Sequence, residues 1–307
     1  MNYQQIKSSF QREIWESQKT FVWTPIVMAA LFFVLLAFEL ITANDYQMEN
    51  IGNLIKVAQY PNASEQLDRF GFFLVQVVMG IFLSIAGLSQ LRYFLSCLFD
   101  ERRDLSIYFW RSLPVSDLQN IIVKFVTGAL IIPITFILAA MAFIFVGFSF
   151  FLILMSITLS GPDIDVWQFA SSVNLLTPIL SVFLSIIPMT LWMFPIFAWL
   201  MLASMIAGRA PFLWALLPIV FVVLAEVVIV KVFNSGDFFF VYALRDYLSI
   251  SPELLTENGI RFTFENDGFT PDLIPKAIMS KVGMIPLGLG AVFMGATYWL
   301  RVNRSHE

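Results

Sequence analysis

The sequence has little of the chemistry that most enzymes use. Its 307 residues include one cysteine, Cys97, and one histidine, His306. One thiol cannot form an internal disulfide, and these two side chains cannot build a Cys/His metal site. The chain also has no GxxxxGK[ST] phosphate loop, no HExxH motif and no GxSxG motif. We therefore expect no catalytic residues, no metal, no cofactor and no enzymatic activity in this chain.

Charge is scarce as well. Charged residues make up 13% of the chain and apolar residues 59% before glycine is counted, and the mean hydropathy is +0.80. Soluble domains contain about 25% charged residues. This composition excludes a soluble enzyme, a disordered chain and a coiled coil, and the net charge of −4 gives no basic excess for nucleic acid. The sequence predicts an all-α, polytopic transmembrane helical bundle forming a single domain over residues 1–307.

Six hydrophobic runs are long enough to cross about 30 Å of hydrocarbon. They are approximately Phe21–Ala43, Gly71–Leu98, Ile121–Leu159, Leu175–Ala207, Pro211–Phe233 and Ala277–Leu300. The third and fourth runs exceed a simple crossing. Each could hold two short spans, but neither contains a polar turn, so we favour one span each. Kinks are expected at Pro133, Pro178, Pro188 and Pro195.

The distribution of basic residues favours both termini in the cytosol. With that orientation the inner segments carry most of the 18 Lys and Arg residues. These are Lys7, Arg12, Lys19, Arg92, Arg102, Arg103, Arg111, Lys124, Arg209, Arg301 and Arg304.

Two segments outside the runs have a pattern of their own. In residues 1–20, Tyr3, Ile6, Phe10 and Ile14 share one helical face, which predicts an amphipathic helix in the lipid headgroup layer; a plain cytosolic lead-in is the alternative. Residues 234–276 are too long for a tight connection and predict a small ordered external segment. It could act as a gate or as a passive lid.

The loop 99–118 combines charges with exposed aromatic residues. Asp100, Glu101, Arg102, Arg103 and Asp104 are consecutive, a short hydrophobic-aromatic stretch ends at Trp110, and Pro114 precedes a new helix that Ser116 or Asp117 can cap. This combination suits docking into a groove of another protein. The alternative is a loop that only orients the chain in the membrane.

Two carboxylates, Glu39 and Glu226, stand out within the predicted spans. An ionisable group at membrane depth is costly and therefore a candidate for function, here for lining a polar path. Glu39 lies near the end of its run and could simply reach water. Glu226 could instead be a hydrogen-bonded carboxyl packed between helices.

The loop 99–118 resembles that of the membrane-spanning permease subunits of type-2 ATP-binding-cassette (ABC) exporters. The resemblance rests on the run Asp100–Ser106 and on Trp110–Asp117, which includes an S-L-P-V-S stretch. The N-terminal helix, six spans and an elaborated segment before the last span are also similar. The long third and fourth runs and the longer outer segment depart from the pattern.

The resemblance implies a function. The chain would provide the translocation path and a coupling loop that docks on a separate cytosolic ABC ATPase subunit, which binds ATP and Mg²⁺. The docking residues implied by the matching positions are Glu101, Arg102, Arg103, Asp104, Trp110, Arg111, Leu113 and Pro114. A second permease subunit, identical or homologous, and membrane lipids would be the other partners, in a prokaryotic cytoplasmic (inner) membrane. A stand-alone ion-coupled carrier or channel is the alternative, and a non-transporting assembly or sensor protein is a third hypothesis.

Overall fold

The described part of the protein is almost entirely helical. A computed structural model describes residues 3–57, 64–104, 116–159, 165–232, 236–249 and 273–303. Of these residues 89% are helical, and none of them lies in a strand. The predicted all-α fold is confirmed.

Fourteen α-helices are numbered here in chain order within the described ranges. They are α1 Tyr3–Glu16, α2 Thr24–Ile41, α3 Asp45–Val57, α4 Ser64–Ser96, α5 Phe99–Arg103, α6 Asp117–Val126, α7 Ile132–Thr158, α8 Val166–Ser172, α9 Leu176–Leu184, α10 Ile186–Ile206, α11 Pro211–Val232, α12 Phe239–Leu248, α13 Leu273–Met279 and α14 Met284–Asn303.

Six helical segments of the described chain are long and apolar enough to cross a membrane, which confirms the predicted number. They are Lys19–Ile41, Leu67–Arg103, Asp117–Thr158, Val166–Ile206, Pro211–Val232 and Met284–Asn303. The predicted last span began too early. Its first residues form the separate helix α13, and the chain leaves the helix before α14 begins at Met284.

Prolines mark boundaries in these long segments. Pro178 and Pro188 lie in the first turns of α9 and α10, where the missing N–H costs little, so both predicted kinks are helix starts. Pro133 follows a π-helical segment, Thr127–Ile131, and Pro195 lies inside α10. The fourth run forms one candidate span, Val166–Ile206, as expected, but this span begins before the predicted start and consists of three successive helices, α8 to α10.

The π segment leaves carbonyl groups that side chains satisfy. A proline at 133 has no N–H for the carbonyl of Ala129, four residues earlier. The amide Nε2 of Gln90 donates to Gly128 O at 2.9 Å and to Ala129 O at 3.5 Å, and Thr190 Oγ1 donates to Ala129 O at 3.3 Å. Within a bilayer, side-chain donors must bind the carbonyl groups that are left free where the backbone hydrogen-bond pattern of a helix is interrupted.

The chain divides into two compact units. Unit 1 comprises Met1–Glu16, Leu88–Ile131 and Leu184–Glu307, and unit 2 comprises Ser17–Gly87 and Ile132–Phe183.

Unit 2 has a hydrophobic cluster that includes two short helices absent from the sequence prediction. Its buried members are Leu40, Ile55, Leu67, Leu152, Met155, Val166 and Phe169. Ile55 comes from α3, and Val166 and Phe169 come from α8. Asp165 caps α8 by accepting from the N–H groups of Trp167 and Gln168, at 3.0 Å each. The chain that joins the spans in this unit is therefore packed into its core.

In unit 1, the last span packs closely on α10. A Cβ at Gly290 would lie 2.5 Å from the Phe194 ring and 3.1 Å from Pro195 Cα, so only glycine permits this approach. Gly288 and Gly295, which could also permit close packing, have open space around them. The same unit stacks Phe94 on Phe197, with ring centroids 4.6 Å apart.

Candidate functional site

Six ionisable side chains of unit 1 form a continuous chain of alternating charges, here called the charge ladder. In order of contact they are Arg12, Glu13, Lys124, Glu101, Arg301 and Asp117. They come from α1, α5, α6 and α14. Three cations alternate with three carboxylates, so the ladder is neutral as a whole.

Lys124 is the centre of the ladder. Its Nζ atom lies 2.8 Å from Glu13 Oε1 and 3.1 Å from Glu101 Oε1, and its side chain is 2% exposed. The hydroxyl of Tyr93 donates to the other oxygen of Glu13, Oε2, at 2.9 Å. Burial raises the pKa of Glu13, but Lys124 and Arg12 lower it more, so the net pKa lies below its ordinary value.

Arg301 forms the other end of the ladder. Its side chain is 1% exposed, and two of its nitrogens contact two different carboxylates. Nη1 donates to Glu101 Oε2 at 2.9 Å, and Nε donates to Asp117 Oδ1 at 2.9 Å. The guanidinium thereby joins residues on either side of the segment 105–115, which lies outside the described residues.

Asn120 cross-links the ladder. Its Oδ1 accepts from Arg12 Nη2 at 2.7 Å, and its Nδ2 donates to Glu101 Oε1 at 3.4 Å. Both ends of one amide are therefore used, which fixes its orientation. A buried ionic network is tolerable only when its members are paired and hydrogen-bonded in this way.

The ladder brings together helix ends that six-span topology places at one membrane face. Glu13 precedes the first span, Glu101 ends the second, Asp117 and Lys124 begin the third, and Arg301 lies in the last turn of the sixth. An even number of crossings puts all of these positions on the same side. The side-chain contacts and the count of spans therefore agree.

The predicted docking residues divide into two described groups. Glu101 is buried in the ladder, and Arg102 turns inward, where its Nη2 caps α10 by donating to Ser204 O at 3.1 Å and Ala207 O at 2.6 Å. Arg103 and Asp104 are exposed and joined at 2.9 Å, and this hydrogen bond lowers the pKa of Asp104.

Four further predicted docking residues, Trp110, Arg111, Leu113 and Pro114, lie outside the described residues. Just beyond them, Ser116 caps α6 by accepting from Gln119 N at 3.2 Å. Of the two predicted capping residues, Ser116 is the one whose side chain forms the cap, and Asp117 contacts Arg301 instead.

Glu226 caps another helix of unit 1. Its carboxylate accepts from the backbone N–H groups of Phe240 and Val241, the latter at 3.0 Å, at the N-terminus of α12. Carboxylates favour that position because the amides there have no partner within the helix. The predicted path-lining role remains a prediction. Glu39 is exposed, two residues before the end of α2.

Only part of the segment 234–276, which the sequence predicts to be external, is described. It consists of residues 236–249, which contain α12, and residues 273–276 in α13; the remaining residues are outside the described ranges. At the end of α12, Trp192 Nε1 donates to Tyr247 O at 3.1 Å, and the Tyr247 hydroxyl donates to Trp192 O. Burial raises the pKa of Tyr247 to about 12, so this hydroxyl keeps its proton.

Sequence reasoning missed most of the ladder. The ladder residues Arg12, Glu13, Lys124 and Arg301 were not selected as site residues, and neither were Tyr93 and Asn120, which donate to or accept from the ladder. One signal was available, because Lys124 lies inside the predicted third run and a cation at that depth needs a partner. The amphipathic pattern of α1 pointed elsewhere: its fully buried residues include Ser9 and Glu13, whereas Ile6, Phe10 and Ile14 are half-buried.

No protein family, curated protein or solved structure shows significant similarity to this chain. Among the described residues, no group of His, Cys, Asp and Glu is arranged to hold a metal ion. The case for function therefore rests on the chain's own residues.

Proposed function

We propose that this chain is the membrane-spanning permease subunit of an ATP-driven ABC transporter of the type-2 exporter class. One observation carries the proposal: the residues flanking the segment 105–115, Glu101 before it and Asp117 after it, are both held by the buried guanidinium of Arg301. A loop that transmits force must be held rigidly at both ends. In this chain, Arg301 binds one residue on each side of the loop segment.

The base of the loop is tied to several helices of unit 1. Glu101 contacts Lys124 of α6 and Arg301 of α14, and Lys124 contacts Glu13 of α1. Arg102 binds the last carbonyls of α10. A displacement of the loop would thus act on the first helix and on the second, third, fourth and sixth spans.

Next to this base, an exposed charged surface is available for a partner. Arg103, 59% exposed, lies 3.3 Å from Asp100 and 2.9 Å from Asp104, and both carboxylates are also exposed in part. Exposed pairs of this kind contribute little to stability. They can exchange partners at low cost, as docking requires.

In the proposed mechanism, a separate cytosolic ATPase binds ATP and Mg²⁺ and closes. The loop 99–118 transmits that movement through the charge ladder, and the spans open a path outward. A second permease subunit, identical or homologous, completes the path. The assembly would lie in a prokaryotic inner membrane with both termini of this chain in the cytosol.

Orientation is tested by cysteine labelling in intact cells. Cys97 is buried and can be replaced by alanine to give a background without thiols. Single cysteines at Asp104 and at Glu49 of α3, both exposed, lie on opposite sides of the membrane in a six-span chain. An impermeant maleimide should label Glu49→Cys only. Labelling of Asp104→Cys alone would overturn the orientation.

The function is tested by purifying the tagged chain from its native membrane in mild detergent. We expect an ATPase with a phosphate loop to co-purify and to hydrolyse ATP. Trp110→Ala should remove this ATPase while the chain stays in the membrane, and Trp15→Ala, at an exposed tryptophan of α1, serves as the control. A stand-alone carrier predicts another result: no ATPase co-purifies, and the chain alone in vesicles supports flux driven by an ion gradient. That result would refute the proposal.

A further inference from the structure

Arg301 contacts both flanks of the same chain segment from a third element. Its Nη1 reaches Glu101 in α5 and its Nε reaches Asp117 in α6, while Arg301 itself belongs to the last turn of α14. Within the described residues, these contacts give the last span a direct polar link to each flank of the segment 105–115.

We propose that Arg301 is a positioning residue that makes the last span move together with both flanks of the coupling loop. This inference rests on the proposed function, and it adds a specific route from the loop to the sixth span. The route is independent of the exposed pairs around Arg103, which face outward.

The chemistry of arginine explains why this position needs it. A guanidinium is planar and carries donors in a fixed fork, so Nε and Nη1 can bind two separate carboxylates simultaneously. A lysine ammonium is a single point charge on a flexible stem and would satisfy one carboxylate well. The Arg301 side chain is 1% exposed and therefore shielded from solvent, whereas water can reach the partly exposed Asp117 carboxylate.

The carboxylates of Glu101 and Asp117 differ in how well each tolerates the loss of its contact with Arg301. Glu101 is buried, with a side-chain exposure of 6%, and also contacts Lys124, whereas the Asp117 side chain is 23% exposed. An unpaired charge is far more costly in the interior than at a hydrated position. In Arg301→Lys, the ammonium should therefore stay with Glu101 and release Asp117.

The packing of α14 explains how the link would transmit movement. Gly290 of α14 lies against the Phe194 ring and Pro195 of α10 without an intervening side chain. A closely packed helix shifts as a body, because a dense interior resists local deformation. Displacement of Asp117 and Glu101 would thus be passed along α14.

The first experiment measures the link without any ATPase. Spin-label pairs are placed in the full chain, in a Cys97→Ala background and in lipid nanodiscs. One pair joins Leu118 to Asn303, and the other joins Asp104 to Asn303; all three positions are exposed. Both distance distributions should be narrow in the parent chain. In Arg301→Lys the 118–303 distribution should broaden and the 104–303 distribution should stay narrow.

Two further variants separate the link from a general loss of structure. Asp117→Ala removes the acceptor of the Arg301 Nε hydrogen bond at a partly exposed position, so the chain should fold, and this variant too should broaden the 118–303 distribution alone. Arg103→Lys changes an exposed arginine two residues from Glu101 and should alter neither distribution. Unchanged distributions in both Arg301→Lys and Asp117→Ala would overturn the inference.

The second experiment uses the co-purified ATPase complex. Losing one charge-assisted hydrogen bond at the link should lower kcat for ATP hydrolysis about tenfold in Arg301→Lys, and KM for ATP should stay unchanged because the partner binds the nucleotide. An unchanged kcat together with a broadened 118–303 distribution would overturn the coupling role. Absence of any ATPase from the parent preparation would instead refute the proposed function.

Discussion

The ammonium of Lys124 lies 2.8 Å from the carboxylate of Glu13, although 111 positions separate the two residues in sequence. Both side chains are almost fully buried. This contact fixes α1 to the beginning of the third span. The N-terminal helix is thereby part of the polar core of unit 1, in addition to any contact it makes with lipid.

Removing the central cation should be severely destabilising. Lys124→Met leaves the buried carboxylates of Glu13 and Glu101 without their shared partner, and breaking a buried pair in this way costs about 3–5 kcal/mol. We expect a large fall in the apparent melting temperature of the detergent-solubilised chain. Lys7→Met, at an exposed position of the helix α1 that carries Glu13, is the matched control and should have little effect.

A compensating variant refines this prediction. In Lys124→Met/Glu13→Gln the Glu13 charge that Lys124 had helped to balance is removed, while Glu101 keeps Arg301. The double variant should recover part of the lost stability. Equal melting temperatures for the single and double variants would mean that Lys124 does not act through this pairing.

The pH dependence of stability should report Glu13. Its pKa is held below the usual 4.5 in the folded chain, because the opposing effect of burial is outweighed by Lys124 and Arg12. A depressed carboxyl pKa contributes stability above the unfolded value, which is lost as pH falls through the folded value. The parent chain should therefore lose more stability than Glu13→Gln between neutral pH and pH values below about 4.

Glu16, one turn later, provides a control of opposite sign. Burial and the neighbouring Glu13 raise its pKa, so its ionised form opposes folding at neutral pH. Glu16→Gln should leave the melting temperature at pH 7 unchanged or slightly higher. A fall at pH 7 equal to that of Glu13→Gln would contradict this assignment of the two carboxylates.

The contact between α14 and α10 should be sensitive to a single methyl group. Gly290→Ala forces a Cβ against the Phe194 ring and near the backbone of Pro195. Such overpacking costs about 1–3 kcal/mol. Gly288→Ala lies two residues away in open space and should not destabilise. Thermal unfolding of the two variants side by side checks the difference, and equal behaviour would exclude tight packing at Gly290.

Substitution of Glu226 distinguishes a helix cap from a path-lining group. Glu226→Ala leaves the N–H groups of Phe240 and Val241 without their acceptor, a loss of about 0.5–2 kcal/mol for a capping side chain. Amide exchange at the beginning of α12 should accelerate, whereas Glu39→Ala should leave it unchanged. If Glu226→Ala raises or abolishes ion flux and leaves amide exchange in α12 unaltered, the path-lining hypothesis is favoured.

The spans could be predicted because they depend on composition over about 20 residues, which is a local property. The two short helices α3 and α8 could not be identified from hydropathy, since they are stabilised by packing in the cluster around Ile55 and Phe169. The interruption at Ser185 was predicted only as a kink at Pro188, because a run of apolar residues has the same hydropathy whether it forms one helix or several.

The charge ladder was only partly accessible from sequence. Glu101 was selected because it belongs to a dense charged run, but the resemblance assigned it to docking, and its side chain is buried between Lys124 and Arg301. Six charged residues on four separate helices become neighbours only through the fold. No local pattern contains the pairing of Glu13 with Lys124, which requires knowing which helix ends meet.

The interruption of the third span has a consequence for sequence variation. Gln90 donates to the carbonyls of Gly128 and Ala129, and a side chain at 128 would collide with the rings of Tyr93 and Phe94. A glutamine, a glycine and a proline on two spans therefore depend on one another. Relatives of this chain should keep or lose Gln90, Gly128 and Pro133 together. A relative that lacks only Gln90 would need another donor for the carbonyl groups that Gln90 binds here.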